Sequence, residues 1–251
     1  ELEKMVGPEQ ARSLWQLGLE AVDTVCGLID RFNINCDLKA GDLHLASSAA
    51  DAASMAEDVE HLQSRYDYNR QRYVPPTELA QMTSGRGFHG AVLDTASKHL
   101  HPLNYAIGLA QAADKSGARI HEHSRVLSYT ESDCIRVSTA GGQIEARHLV
   151  VACNGYLEKL EPRAAGRIMP INNYMLATEP LSEALARQLI RDDTSMSDSL
   201  FVINYWRLSG DNRLLFGGGE TYTRQFPADI KNFVRKYMLR IYPELIDTRI
   251  E

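Results

Sequence analysis

The chain has 251 residues, 44% of them hydrophobic, enough to bury a full core in one large domain or two interleaved lobes. Its formal charge of −6 and pI near 5.8, with no block of Lys or Arg, exclude the electrostatic footprint of a nucleic-acid or anionic-membrane binder. Small polar or cationic ligands remain open. No run approaches the roughly 18 uninterrupted apolar residues of a membrane span, and no signal peptide is visible. Cys26, Cys36, Cys134 and Cys153 are widely spaced without a CxxC pair, so they read as small core residues rather than disulfides or metal ligands, as suits a reducing cytoplasm. Residue 1 is Glu rather than Met, and Asp247 to Glu251 starts what reads as another strand. The expectation is an internal fragment of a longer protein.

From Pro8 to Phe32, Leu14, Leu17, Ala21, Val25, Leu28 and Phe32 recur at steps of three and four, which predicts an amphipathic helix with Pro8 in its first turn. Asp37 to Ser47 reads as a short hairpin turning at Ala40 to Asp42. Ser48 to Tyr68 is helical again, capped by Ser47 or Ser48, with Met55, Val59 and Leu62 as its stripe. Pro75 and Pro76 begin a short helix, and Gly85 and Gly87 release the chain into a strand from Phe88 to Leu93. His101 and Pro102 open a helix to Lys115, with Gly117 placed for a left-handed cap.

Four strands are then expected, at Ala118 to His121, Val126 to Tyr129, Cys134 to Thr139 and Gln143 to Val151. The unbroken apolar run from Leu149 to Cys153 reads as a strand buried on both faces, as in a parallel sheet, ended by Asn154 and Gly155. Ligands sit outside the carboxyl ends of such strands, so Ala152 to Gly155 become candidate cofactor contacts. After Pro162 come a strand from Ile168 to Thr178, a helix from Ser182 to Ile190 and a polar loop to Ser199. A hairpin from Leu200 to Gly219, turning at Ser209 to Asn212, and a helix from Asp229 to Tyr242 complete the chain. Gly217 to Gly219 has no following Lys and Ser/Thr, so it reads as a bulged strand end rather than a phosphate loop.

Several runs carry a resemblance. GARIHEHSRV (Gly117 to Val126) followed by a meander into LVVACNG (Leu149 to Gly155) resembles the FAD-dependent D-amino-acid oxidase superfamily. CDLKAGDLHLA (Cys36 to Ala46), HLHPL (His99 to Leu103), ATEPL (Ala177 to Leu181) and YWRLSGDNRLLFGGG (Tyr205 to Gly219) are similar to its γ-glutamylputrescine oxidoreductase branch. The resemblance implies an α/β plus α+β fold. A partial FAD/NAD(P)-binding, Rossmann-like lobe (residues 1–38 and 98–165) would be interleaved with a mixed-sheet substrate-binding lobe (residues 39–97 and 166–251). The family's GxGxxG turn, which holds the pyrophosphate, and its later glycine-rich flavin-closing segment are both missing from this sequence, so tight FAD binding by these residues alone is not expected.

By the same resemblance, Val126 with Arg125 beside it would meet the adenine end of FAD, Ala152, Asn154 and Gly155 would lie against the cofactor, and His101 would stand near the flavin ring. The plainer readings are a strand start, a strand-ending turn and a helix entry. Tyr205 and Arg207, two apart on one strand face, could clamp a substrate carboxylate through a bidentate guanidinium and a hydroxyl; an edge-strand Arg in water beside a half-buried Tyr is the alternative. Tyr174 and Arg213 are weaker candidates of this type. His99 with His101 and His121 with His123 form HxH pairs, but no Asp, Glu or Cys completes a metal site.

The expected function is oxidation of an amine or amino acid, of the γ-glutamylated polyamine type, by hydride transfer to FAD, with no catalytic acid or base among these residues. A substrate-binding module that holds no flavin by itself, and a flavoprotein dehydrogenase of a hydroxy acid, are the alternatives.

Overall fold

The computed structural model describes residues 1–222 and 225–251. In chain order these form α1 (Leu2–Val6), α2 (Pro8–Phe32), β1 (Lys39–Leu45), α3 (Ala49–Tyr66), β2 (Gln71–Val74), α4 (Pro76–Met82), β3 (Ala91–His99) and α5 (Pro102–Lys115). There follow β4 (Val126–Glu131), β5 (Ile135–Thr139), β6 (Gly142–Ala146), α6 (Pro162–Ala165), β7 (Asn172–Ala177), α7 (Glu183–Leu189), β8 (Ser195–Asp198), β9 (Tyr205–Leu208), β10 (Leu214–Thr221) and α8 (Ile230–Ile241). The chain divides into two compact units. One comprises Glu1–Ala112 with Asn173–Glu251, the other Ala113–Asn172.

The larger unit is built on a mixed seven-stranded sheet, ordered β2-β3-β1-β8-β9-β10-β7. The mixed α/β class expected from the sequence is therefore present. β1 runs parallel to β8, while β1–β3, β2–β3, β8–β9 and β9–β10 are antiparallel. Strand alternation sends Leu43, Leu45, Met196, Trp206, Leu208, Leu214 and Phe216 to one face, where they pack with Leu79, Leu189, Val234 and Met238 of α4, α7 and α8. At the centre of this core the buried Tyr242 hydroxyl accepts from Trp206 Nε1 at 3.0 Å and meets Thr83 Oγ1 at 3.0 Å. The opposite sheet face carries the half-buried Asp42, His44, Ser195, Ser197, Tyr205 and Arg207.

Helices follow the sequence closely. α2 begins at Pro8 and ends at Phe32, Ser48 caps α3 by accepting from Asp51 N–H at 3.1 Å, and Gly117 takes φ 93 after α5. The α2 stripe is less buried than its periodicity predicts. Ile29 packs with Val25, Ile34 and Cys36, whereas Leu14 and Leu17 stay exposed.

The strands depart further. Asp37 to Ser47 is not a hairpin: β1 runs through Gly41, whose φ of 103 marks a register shift between Ala40 and Asp42. The expected polar loop before Ser199 holds β8, whose polar side is two serines, and β2 was not anticipated at all. The strand expected from Phe88 begins at Ala91, and that expected from Ile168 begins at Asn172.

In the smaller unit β4, β5 and β6 form the antiparallel meander read from the sequence. Neither Ala118 to His121 nor Leu149 to Cys153 is a strand there; β6 stops at Ala146 and Val150 is 85% exposed. A strand buried on both faces takes its hydrogen bonds from neighbours, and among the described residues no strand pairs with this run. All four cysteines are free. No described helix is long and apolar enough to cross a membrane.

The Tyr242 hydroxyl gives a first prediction. Tyr242→Phe would strand the buried Trp206 N–H and should lower unfolding stability by about 1–3 kcal/mol; an unchanged urea midpoint would show that this bond contributes nothing.

Candidate functional site

β9 places Tyr205 and Arg207 together. Trp206, on the reverse side, stacks against Phe216 at 5.4 Å and Phe88 at 6.1 Å, and this packing holds the pleat so that its two neighbours emerge on the polar face. The Tyr205 ring lies across β10 at Gly217, where a Cβ would stand 2.3 Å from ring carbon Cζ. Its hydroxyl donates to Asn173 Oδ1 at 2.6 Å, and burial pushes its pKa up, so it remains a neutral phenol. Gly217 to Gly219 is not a bulged strand end, because β10 continues to Thr221. These glycines admit the side chains of Tyr205, Asn204 and Phe233.

Arg207 is not an edge residue in water. β9 is interior to the sheet and the Arg207 side chain is only 13% exposed. Its Nη1 donates to His99 Nδ1 at 2.9 Å, while Nη2 stands 3.5 Å from the Asp37 carboxylate. His99 Nε2 lies 3.1 Å from the Asp193 carbonyl, which can only accept. Guanidinium can only donate, so His99 is the neutral Nε2–H tautomer. Burial, and then the Arg207 charge, hold its pKa below the ordinary 6.5. Lys39 closes the cluster on Asp193 at 2.7 Å and Asp37 at 3.4 Å. Asp37 and Asp193 both adopt left-handed backbone, which Asp tolerates, just before β1 and β8.

Two further polar pairs share this face. Ser195 Oγ donates to Asp42 Oδ1 at 2.6 Å, and His44 Nδ1 stands 2.9 Å from Ser197 Oγ, across the parallel pairing of β1 and β8. Sequence reasoning missed both pairs. The alternation of Asp42 with His44 and of Ser195 with Ser197 was the available signal, hidden by reading a turn and a loop. The weaker candidates lie elsewhere: Tyr174 is a core residue bonded to Thr221, and Arg213 is tied to Asp211 and Glu251.

In the smaller unit, Val126 opens β4 opposite Thr139, and Arg125 ion-pairs with Glu158. Arg125, Val126, Val150, Cys153, Tyr156 and Leu157 line a cavity of about 400 Å³. Its wall is mostly apolar, and Tyr156 on it is 90% exposed. Ala152, Asn154 and Gly155 stand exposed beside it rather than on its wall; Asn154, φ 47, starts a single 3₁₀ turn, and the space above Gly155 is open. His101 belongs to the larger unit. It donates its backbone N–H to Cys36 carbonyl at 2.7 Å and caps α5, accepting from Asn104 N–H on Nδ1 at 3.2 Å. Among the described residues no three His, Cys, Asp or Glu form a metal-binding group.

Residues 4–251 match the family model described as FAD dependent oxidoreductase, DAO. The chain belongs to the DAO family of FAD-dependent oxidoreductases. The resemblance read from the motifs thus holds at family level. γ-Glutamylputrescine oxidoreductase of Escherichia coli (strain K12) is 35% identical over all of this chain and 59% of its own length. A probable oxidoreductase, OrdL, of Haemophilus influenzae is 33% identical over 99% of this chain and 58% of its own. The chain therefore spans under two thirds of these DAO relatives. Among solved structures, iminodiacetate oxidase from Chelativorans sp. BNC1 superposes with a TM-score of 0.73 at 15% identity, over 94% of this chain and 66% of that one. L-proline dehydrogenase from P. horikoshii gives 0.71 at 18% identity, over 92% and 64%. At such identities these two establish the fold.

Two outcomes test this geometry. Gly217→Ala should displace the Tyr205 ring and break its bond to Asn173, visible in a crystal structure of the variant; a ring left in place would refute the packing. Because the fold favours neutral His99, its contribution is complete above the ordinary value of 6.5 and is lost as pH falls below it. Unfolding free energies at about pH 8 and about pH 5 should differ more in the parent than in His99→Gln, and equal differences would remove the linkage.

Proposed function

We propose that this chain forms the substrate-binding lobe and part of the flavin lobe of an FAD-dependent enzyme that oxidises an amine or amino acid of the γ-glutamylated polyamine type. The observation that carries the reading is the polar sheet face with Tyr205 and Arg207 side by side, in a chain of the DAO family. The 35% identity to γ-glutamylputrescine oxidoreductase supports the substrate class. The lobes are residues 39–97 with 166–251 and residues 1–38 with 98–165.

When bound, FAD supplies the acceptor for the hydride leaving the carbon next to the amine nitrogen. Val126, with Arg125 beside it, would meet its adenine end, Ala152, Asn154 and Gly155 would lie against the cofactor, and His101 would stand toward its ring. The task of the polar face is orientation. The remaining N–H groups of Arg207 can take a substrate carboxylate while His99 and Asp37 hold the guanidinium still. Tyr205, kept protonated by burial and steered by Asn173, adds a directional polar contact. No group on this face needs to transfer a proton if the amine arrives neutral, and neutral His99 adds no charge that would disfavour a cationic tail.

Anaerobic addition of γ-glutamylputrescine to the full-length protein should bleach its oxidised flavin band. Tyr205→Phe should lower the efficiency of bleaching about tenfold, the worth of one hydrogen bond. A flavin band that stays would discard this substrate class, and a protein that holds no flavin would sink the oxidoreductase reading.

A further inference from the structure

Arg207 belongs to a closed circuit of five side chains. Its Nη1 donates to His99 Nδ1, His99 Nε2–H donates to the Asp193 carbonyl, Lys39 bridges the Asp193 and Asp37 carboxylates, and Asp37 faces Arg207 Nη2. The members come from the end of β3, from β9, from the first residue of β1 and from the segments that lead into β1 and β8. With an uncharged imidazole the circuit sets one Arg and one Lys against two Asp.

The two contacts on the guanidinium are not equivalent. Asp37 forms an ion pair at 3.5 Å, and its Oδ2 accepts no hydrogen bond, so it attracts Arg207 without aiming it. Among the described residues the 2.9 Å bond to His99 is the only hydrogen bond that the guanidinium makes. The direction of the planar fork therefore rests on one acceptor. That acceptor is an imidazole, the side chain whose ordinary charge change falls between about pH 5 and 8.

Protonation removes the acceptor. An imidazolium carries N–H on both nitrogens, so Nδ1–H would face the Arg207 N–H, donor against donor and cation against cation. His99 is only 8% exposed, and its Nε2–H stays on the Asp193 carbonyl in either state, so the ring has no solvent to turn into. The partner free to move is Arg207, whose remaining hold is the undirected pair with Asp37. Burial is the largest influence against protonation. Among the charged groups that face His99, Arg207 from β9 and Lys39 from β1 also oppose it, and Asp193, ahead of β8, favours it.

We propose that His99 is the positioning residue that gates the carboxylate clamp: neutral, it aims Arg207 at the substrate carboxylate, and protonated, it lets the guanidinium swing away. This rests on the reading of Arg207 as the clamp. The gate stands open above the ordinary histidine value of 6.5 and closes as pH falls below it, because burial and then the Arg207 charge favour the neutral ring. The half-saturating concentration of a carboxylate-bearing substrate then rises as the neutral form becomes scarce, by up to about tenfold per pH unit. The limiting rate does not follow, because His99 acts only through Arg207.

Anaerobic flavin reduction of the full-length protein by γ-glutamylputrescine tests it, in the parent and in His99→Gln, whose amide can accept from Arg207 and donate to the Asp193 carbonyl without titrating. Between about pH 8 and about pH 5 the ratio of half-saturating concentrations, parent over His99→Gln, should rise about tenfold, while the ratio of limiting rates stays flat. Ionisation of the substrate amine is common to both proteins and cancels. His99→Leu, which has no acceptor, should need about tenfold more substrate than His99→Gln even at the alkaline end. Putrescine, which has no carboxylate, should give a flat ratio. A ratio that stays flat for γ-glutamylputrescine, one that falls on acidification because the imidazolium itself takes the carboxylate, or a change confined to the limiting rate would each overturn the proposal. Failure of the substrate reading shows differently, as a flavin band that never bleaches. Nitrogen NMR of labelled histidine then decides the gate alone: without substrate His99 should be the Nε2–H tautomer and should titrate at higher pH in Arg207→Met. A titration indifferent to that replacement would refute it.

Discussion

Trp206 sits between Phe88 and Phe216, with its indole N–H on the Tyr242 hydroxyl, and this buried stack orders what surrounds it. A strand has only two faces, so fixing Trp206 and Leu208 in the core commits Tyr205 and Arg207 to the other side. A slip of one residue would bury a guanidinium and expose an indole. Tyr242 joins α8 to the same stack, and Thr83 joins the end of α4 through the Tyr242 hydroxyl, so one polar contact ties two helices to the strand that carries the candidate site.

The polar face is organised by a chain of dependent choices. Arg207 can lie nearly buried because His99 accepts from it and Asp37 faces it. His99 can accept because its other nitrogen is spent on the Asp193 carbonyl. Tyr205 can lie flat because Gly217 has no side chain. Each step is a matter of hydrogen-bond direction or of space, and together they give a rigid charged surface beside a neutral phenol. The smaller unit is the opposite case. Its meander is well paired, but Val150 and Tyr156 present large apolar surface to solvent at the cavity that Val126 lines.

Much of this was legible in residue order. The long helices were read to within a residue or two, because spacing at three and four steps, Pro8 at an N-terminus, Ser48 as a cap and Gly117 after a C-terminus are local signals. The β9–β10 hairpin was legible from Gly210 between two apolar runs. β1 and β8 were not. Gly41 looks like a turn until Thr194 of the neighbouring segment occupies the space beside it, and Ser195 to Asp198 looks like a loop until β1 pairs with it. The pairs Asp42 with Ser195 and His44 with Ser197 come from residues about 150 positions apart, which only parallel pairing aligns.

The sequence by itself determined the family, the helices, the shared face of Tyr205 and Arg207 and the residues that flank Val126, because these rest on motif order and on periodicities of two and 3.6 residues. Tertiary structure alone decided the rest. It made Arg207 an interior residue with a histidine partner, turned three glycines into spaces for neighbouring side chains, and left Leu149 to Cys153 unpaired. The reason is common to all of these. Burial, tautomer and strand pairing depend on what lies across space, and a one-dimensional pattern records which side a residue faces but not what meets it there.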